Sequence, residues 1–186
     1  MFNRNELKRL VEIEAEKDFF TAGNINRCFR NLDLIKENSF DEEIVFAGML
    51  LHSIGFSQHL KFNQDLIKTS ENLSKKFLIK SLFPKQKTDA VIYCIQESGL
   101  NGKPKTPEAV LVHDSNLLDE ASVIGFIKDS VLFNLRKIPL TKFLEEQKTK
   151  SFLLKESFFS EKAKSLSEKK ISLLDYLIED LKNEIR

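Results

Sequence analysis

The segment of residues 42–54 constrains the fold more than any other part of the chain. It reads Glu-Glu-Ile-Val-Phe-Ala-Gly-Met-Leu-Leu-His-Ser-Ile and is apolar on nearly every side at helical spacing. A helix without a polar face belongs in the middle of a bundle, because no orientation lets it float on the surface. Its start is well specified: Asp41 is a good N-cap, and Glu42 and Glu43 lie where the helix dipole favours negative charge. Gly55 ends it. The rest of the chain must therefore supply the helices that wrap this one.

Helical periodicity runs through most of the remainder. Leu7, Leu10, Val11 and Glu14 open a first helix. A break is expected at Thr21-Ala22-Gly23, and beyond it a helix carrying Ile25, Cys28, Phe29, Leu32 and Ile35. Residues 62–82 form a long amphipathic pattern that uses Leu66, Ile67, Leu73, Phe77 and Leu78, and Phe83-Pro84 closes it. Residues 85–97 place Val91, Ile92 and Ile95 inward, and residues 99–105 are a loop. Thr106, Pro107 and Glu108 are a strong helix start. Gly125 and Pro139 are expected to punctuate the chain beyond that helix. Ile171, Leu174, Ile178, Leu181 and Ile185 mark an amphipathic terminal helix. No strand alternation competes, so the fold class is all-α: a helical domain over residues 1–138 and a C-terminal helical extension over 139–186. The extension is expected to pack on the domain, with a homodimer contact through the terminal helix as the alternative.

A formal net charge of +1 provides no global field to steer nucleic acid. The apolar run from Ile44 to Leu51 is far shorter than the roughly 20 residues a bilayer requires. The charged N-terminal segment does not read as a secretory signal, and a cytoplasmic protein is the expectation. Cys28 and Cys94 match no ligand spacing and read as buried thiols of a reducing compartment. Lys75, Lys76, Lys80, Lys85 and Lys87 read as a solvated basic face. Phe152, Phe158 and Phe159 read as core packing.

Three segments carry more chemistry. Asn24-Ile25-Asn26-Arg27-Cys28 resembles a helical motif His-Ile-x-Arg-Val. Leu50-Leu51-His52-Ser53-Ile54-Gly55 resembles Leu-Leu-His-Asp-Ile-Gly. Pro107-Glu108-Ala109 with Asp114-Ser115-Asn116-Leu117-Leu118-Asp119 beyond it resembles a Glu-Ala segment leading into Asp-Ala-Asp-x-Leu-Asp, and Ile124-Gly125 extends the likeness. In this order and setting they resemble the HD-domain superfamily of metal-dependent phosphohydrolases. The resemblance implies an HD-type helical bundle. In that family two imidazoles and two carboxylates bind a divalent cation, which lowers the pKa of a bound water and polarises a phosphoryl oxygen.

Carried over by position, the resemblance puts the first histidine on Asn24, the second on His52, the doublet's aspartate on Ser53 and the final aspartate on Asp114. One imidazole and one carboxylate remain. Further histidines of the family would fall near Ser70 and on Ser98, where none is present. Arg27 is either an anion contact or an ordinary ion pair. His113 directly precedes Asp114, and neighbours on a helix point about 100° apart, so the two cannot readily face one ion. His52 is expected to hydrogen-bond Asp114 or Asn24. The leading expectation is thus a degenerate, non-catalytic domain without a cofactor, binding a protein partner or a small anionic ligand. The alternative is a divergent phosphohydrolase acting on a nucleotide or phosphorylated metabolite. It would hold one divalent metal (Mn, Fe, Ni, Zn or Mg) through His52 and Asp114, with His59 and waters assisting.

Overall fold

The computed structural model describes residues 1–18, 20–36, 39–58 and 66–185. Among these, every regular element is helical, which makes the chain an all-α protein. The helices are α1 (Arg4–Ala15), α2 (Thr21–Ile35), α3 (Glu42–Leu51), α4 (Leu66–Lys80), α5 (Thr88–Gln96), α6 (Pro107–Glu120), α7 (Val123–Leu135), α8 (Leu140–Ser157) and α9 (Glu161–Glu184). Short 3-10 turns cover Ile54–Gln58 and Lys85–Lys87.

Helix α3 is the central helix, as its composition requires. Ile44, Val45, Ala47, Met49, Leu50 and Leu51 are all buried, and α3 touches α1, α2, α5 and α6. The Asp41 carboxylate accepts from the backbone N–H of Glu43 and Ile44 at 3.0 and 3.3 Å, satisfying two first-turn donors. Helix α6 lies alongside it, with the Thr106 hydroxyl capping Ala109 N at 3.2 Å. Leu111, Val112, Leu117 and Leu118 of α6 are buried. Gly55 is required by close approach: a Cβ there would sit 2.6 Å from the Leu66 carbonyl oxygen and 2.7 Å from Ser70 Oγ. Its N–H donates to Ser70 Oγ at 2.9 Å, which ties the end of α3 to α4.

Several element boundaries differ from the sequence reading. Gly23 does not break a helix, because α2 already starts at Thr21. There the Asp18 carboxylate collects the N–H groups of Phe20 and Thr21 at 2.6 and 2.7 Å. Gly125 likewise sits inside α7, in its first turn. Its lack of a Cβ lets α7 approach the end of α6, since a Cβ would lie 2.5 Å from the Glu120 carbonyl oxygen. The helix expected over 85–97 is a 3-10 turn joined to α5. The first residues of the pattern expected over 62–82 lie outside the described residues, as does His59.

The region after Pro139 forms two helices rather than one. Helices α8 and α9 pair antiparallel, with Lys148–Glu179 and Lys155–Asp175 ion pairs and a Ser151–Asp175 hydrogen bond along the seam. Ile171, Leu174 and Ile178 are buried where α9 meets α2, α6 and α7. Phe158 is buried in the turn between the two helices, but Phe159 and Phe152 are exposed, so the aromatic cluster expected in the core is split. Cys28 and Cys94 are buried free thiols. Among the described residues no helix is long and apolar enough to cross a membrane.

Candidate functional site

Two helix faces build a polar seam inside the bundle. Asn24, Arg27 and Asn31 recur on one side of α2, and Ser115, Asn116 and Asp119 oppose them on α6. Residues three, four and seven apart share a helix face, so these positions come into register along the contact. The Asp119 carboxylate is 1% exposed, yet both of its oxygens are satisfied. Arg27 Nε donates to Oδ1, Arg27 Nη2 to Oδ2 at 3.1 Å, and Asn24 Nδ2 to Oδ2 at 2.8 Å. Asn31 Nδ2 reaches the Ser115 carbonyl at 2.9 Å. Arg27 is therefore an ion-pair partner of Asp119 and not a cation held out for an anion.

His52 caps the C-terminus of α3 and is buried. Its Nδ1 lies 2.9 Å from the Met49 carbonyl oxygen, which can only accept, so Nδ1 carries the hydrogen and Nε2 the lone pair. Nε2 faces Cys28 Sγ at 3.8 Å. Burial holds the His52 pKa below the ordinary imidazole value, against the opposing pull of the Met49 carbonyl and Asn116. The Cys28 thiol is pushed well up, first by burial and then by the Asp119 charge, so it stays protonated.

Asp114 does not accompany His52. Its carboxylate accepts the backbone N–H groups of Phe159 and Ser160 at 3.1 and 2.8 Å, on the far side of α6. The hydrogen bond expected between His52 and Asp114 is absent for a geometric reason. The polar face of α6 that meets His52 carries Asn116, and two residues on a helix are about 200° apart. Asn116 donates from Nδ2 to the Ser98 carbonyl at 3.0 Å, and its Oδ1 lies 3.5 Å from Asn24 Nδ2. His113 is also committed elsewhere. Its ring nitrogens face the Glu97 carbonyl at 2.6 Å and the Ser157 carbonyl at 2.9 Å, joining the ends of α5 and α8.

Asn24, His52, Ser53, Ser70, Ser98 and Asn116 line a cavity of about 220 Å³. Asn24 Oδ1 and Ser53 Oγ, both buried, have no hydrogen-bond partner there. Phe56, Leu66, Leu100, Glu120 and Lys128 wall this cavity and also a second one of about 490 Å³, which extends between α7 and α8. Four charges gather at the common wall. Lys128 and Lys150 both contact Glu120, and Lys150 also reaches Asp129 at 2.7 Å. Burial favours the neutral acid at Glu120, but the two ammonium groups outweigh it and hold its pKa well below the usual carboxylate range. Lys128 and Lys150 are raised in turn, because Glu120 and Asp129 overcome their desolvation. The cluster contains two cations and two anions and is neutral as a set.

These residues do not fit a divalent cation. Near His52 the described donors are one imidazole nitrogen, a protonated thiol, two amides and serine hydroxyls, while the Asp119 and Glu120 carboxylates are already paired with Arg27 and with Lys128 and Lys150. Among the described residues no group of three His, Cys, Asp or Glu side chains could hold a metal ion. Sequence reasoning places Asn116 and Asp119 in a motif without giving them a role, and misses Glu120, Lys128 and Gln147. A signal existed for some of them: Asn116, Asp119 and Glu120 share one α6 face, and Lys128-Asp129 interrupts an otherwise apolar α7 segment.

No protein-family model and no curated protein matches this chain. Among solved structures it is similar to the crystal structure of a Lactobacillus plantarum protein determined as a structural genomics target. The two align with a TM-score of 0.75 over 99% of this chain and 98% of that one, at 14% identity. At that identity the likeness shows the fold alone.

Proposed function

We propose that this chain is a metal-free binding protein on an HD-type helical bundle, whose polar cavity beside His52 receives a small organic molecule. One observation carries this reading: Asn24 and Ser53 line a 220 Å³ space, and their buried side-chain oxygens have no hydrogen-bond partner. Buried polar groups normally find partners, and leaving one unpaired costs about 1–3 kcal/mol. A ligand that enters the space and draws either side chain round to hydrogen-bond it removes that cost. The charge pattern narrows the ligand away from the anion that the sequence suggested, since Arg27 already serves Asp119. The motif positions filled by Asn24 and Ser53 read as a metal cage converted to a neutral pocket.

Turnover of para-nitrophenyl phosphate and of nucleoside triphosphates with added Mn²⁺ or Zn²⁺ tests this reading. The expectation is no rate above the protein-free reaction. Turnover abolished by His52→Ala would instead establish a phosphohydrolase.

A further inference from the structure

We propose that the outer side of α7 is the contact face of a homodimer, in which two copies of this chain pair α7 on α7 about a two-fold axis.

Helix α7 is apolar on nearly every side, as α3 is, and a helix of that composition belongs inside a larger body. Within one chain α3 meets that requirement and α7 does not. The inner side of α7 packs through Phe126 and Phe133 on Phe143 of α8, with ring centroids 5.1 and 5.0 Å apart. On the outer side Val123, Ile124, Ile127, Val131 and Leu135 are 39–54% exposed. At about 100° per residue they span an arc of roughly 120° along the whole helix. Ser130 and Asn134 beside them are uncharged, and the Ser130 hydroxyl donates back to the Ile127 carbonyl at 2.8 Å. The two charges of the helix are turned away: Lys128 pairs with Glu120, and Asp129 with Lys150 at 2.7 Å. A chain that is 31% charged thus leaves three turns of exposed helix without a charge.

These features fit a second copy. A face without charge meets itself with no like-charge repulsion, and a charged partner would find no counter-charge there. Val123, Ile127, Val131 and Leu135 stand four apart and form one ridge, and the small Ser130 lies in the next row. Two such ridges interdigitate when helices cross at about −50°, a geometry that a two-fold axis satisfies. The five side chains leave roughly 400 Å² of each protomer uncovered, within the size range of interaction patches. With their surroundings, two copies reach the roughly 1,000 Å² at the lower end of specific interfaces, so the dimer should be reversible. Helix α9 is less suited to the role: Leu173 and Tyr176 are exposed there, but Lys169 and Asp180 lie on the same side. A membrane fits less well too. Helices that lie on anionic lipid carry cations along the polar side, whereas Lys128 is paired and Arg136 and Lys137 stand beyond the C-terminal end of α7.

Sedimentation velocity of the full chain across the micromolar range tests the proposal. The mean mass should rise with concentration from one chain toward two. Ile127→Glu and Val131→Glu should each raise the dissociation constant at least about ten-fold, because each strands a charge in the contact. Leu173→Glu on α9 should leave it unchanged. Both α7 positions are half-exposed, and circular dichroism and Tm confirm that each variant is folded. A dimer insensitive to both α7 substitutions, or one broken by Leu173→Glu alone, would overturn the inference. A chain that stays monomeric at every concentration would also overturn it, and cosedimentation of that monomer with phosphatidylserine-containing vesicles would assign the face to a membrane instead.

Discussion

Arg27 and Asp119 form a two-point ion pair across the α2–α6 seam, with the carboxylate 1% and the guanidinium side chain 23% exposed. Asn24 completes the carboxylate's hydrogen bonding. Such a pair stabilises mainly through the cost of breaking it, because removing one member leaves the other buried and uncompensated. Arg27→Ala should lower the unfolding free energy by roughly 3–5 kcal/mol in urea denaturation. A loss below about 1 kcal/mol, the size of a surface pair, would show that the seam is solvated.

Asp114 serves the C-terminal hairpin. Its two hydrogen bonds to Phe159 N and Ser160 N hold the turn where α8 ends and α9 begins. Asp114→Ala should therefore speed amide hydrogen exchange in α9 more than in α3, at a total cost of about 1–3 kcal/mol. Uniform acceleration across the chain would contradict a local anchoring role.

Acid should weaken the fold in two stages. His52 has a folded pKa below its unfolded value of 6.5, so the unfolded chain binds more protons as pH falls past that value. Its stabilising contribution, complete above 6.5, is lost between 6.5 and the lower folded pKa. Glu120 is depressed from 4.5, so its contribution is complete above 4.5 and declines only below it. Equilibrium unfolding of His52→Gln should be flatter than that of the unsubstituted chain between about pH 7 and pH 5. Identical slopes would place the loss on another group.

Ser53→Ala should be neutral or stabilising in the ligand-free protein, by up to about 1 kcal/mol, since it removes a buried hydroxyl that has no partner. Thermal denaturation reads the sign directly. A marked drop in Tm would mean that the hydroxyl has a structural partner.

The sequence exposed the parts of this fold where pattern and environment agree. Helix α3 is apolar all round and lies at the centre, and the Thr106-Pro107 start of α6 is present as expected. Helix α8 was hidden because its buried face mixes Phe143, Leu144 and Leu154 with Gln147 and Ser151, which breaks the apolar stripe. Gly23 and Gly125 misled because close packing and side-chain caps, rather than flexibility, govern those positions. At the site, His52, Asn24 and Ser53 were found through their motif positions and do line one cavity. Asp114 was not the right partner. A motif supplies a set of residues, but the rotation of α6 against α3 decides that Asn116 faces inward. Gln147 was out of reach of any local pattern, because only tertiary packing brings α8 to the second cavity, beside α7.

The most direct measurement is paramagnetic broadening by Mn²⁺, tracked residue by residue in NMR spectra of chelator-treated protein. Resonances of His52, Asn24, Ser53 and Asn116 should keep their linewidths at stoichiometric Mn²⁺. Selective disappearance of those four signals, restored by added chelator, would show a working metal cage and contradict the metal-free cavity.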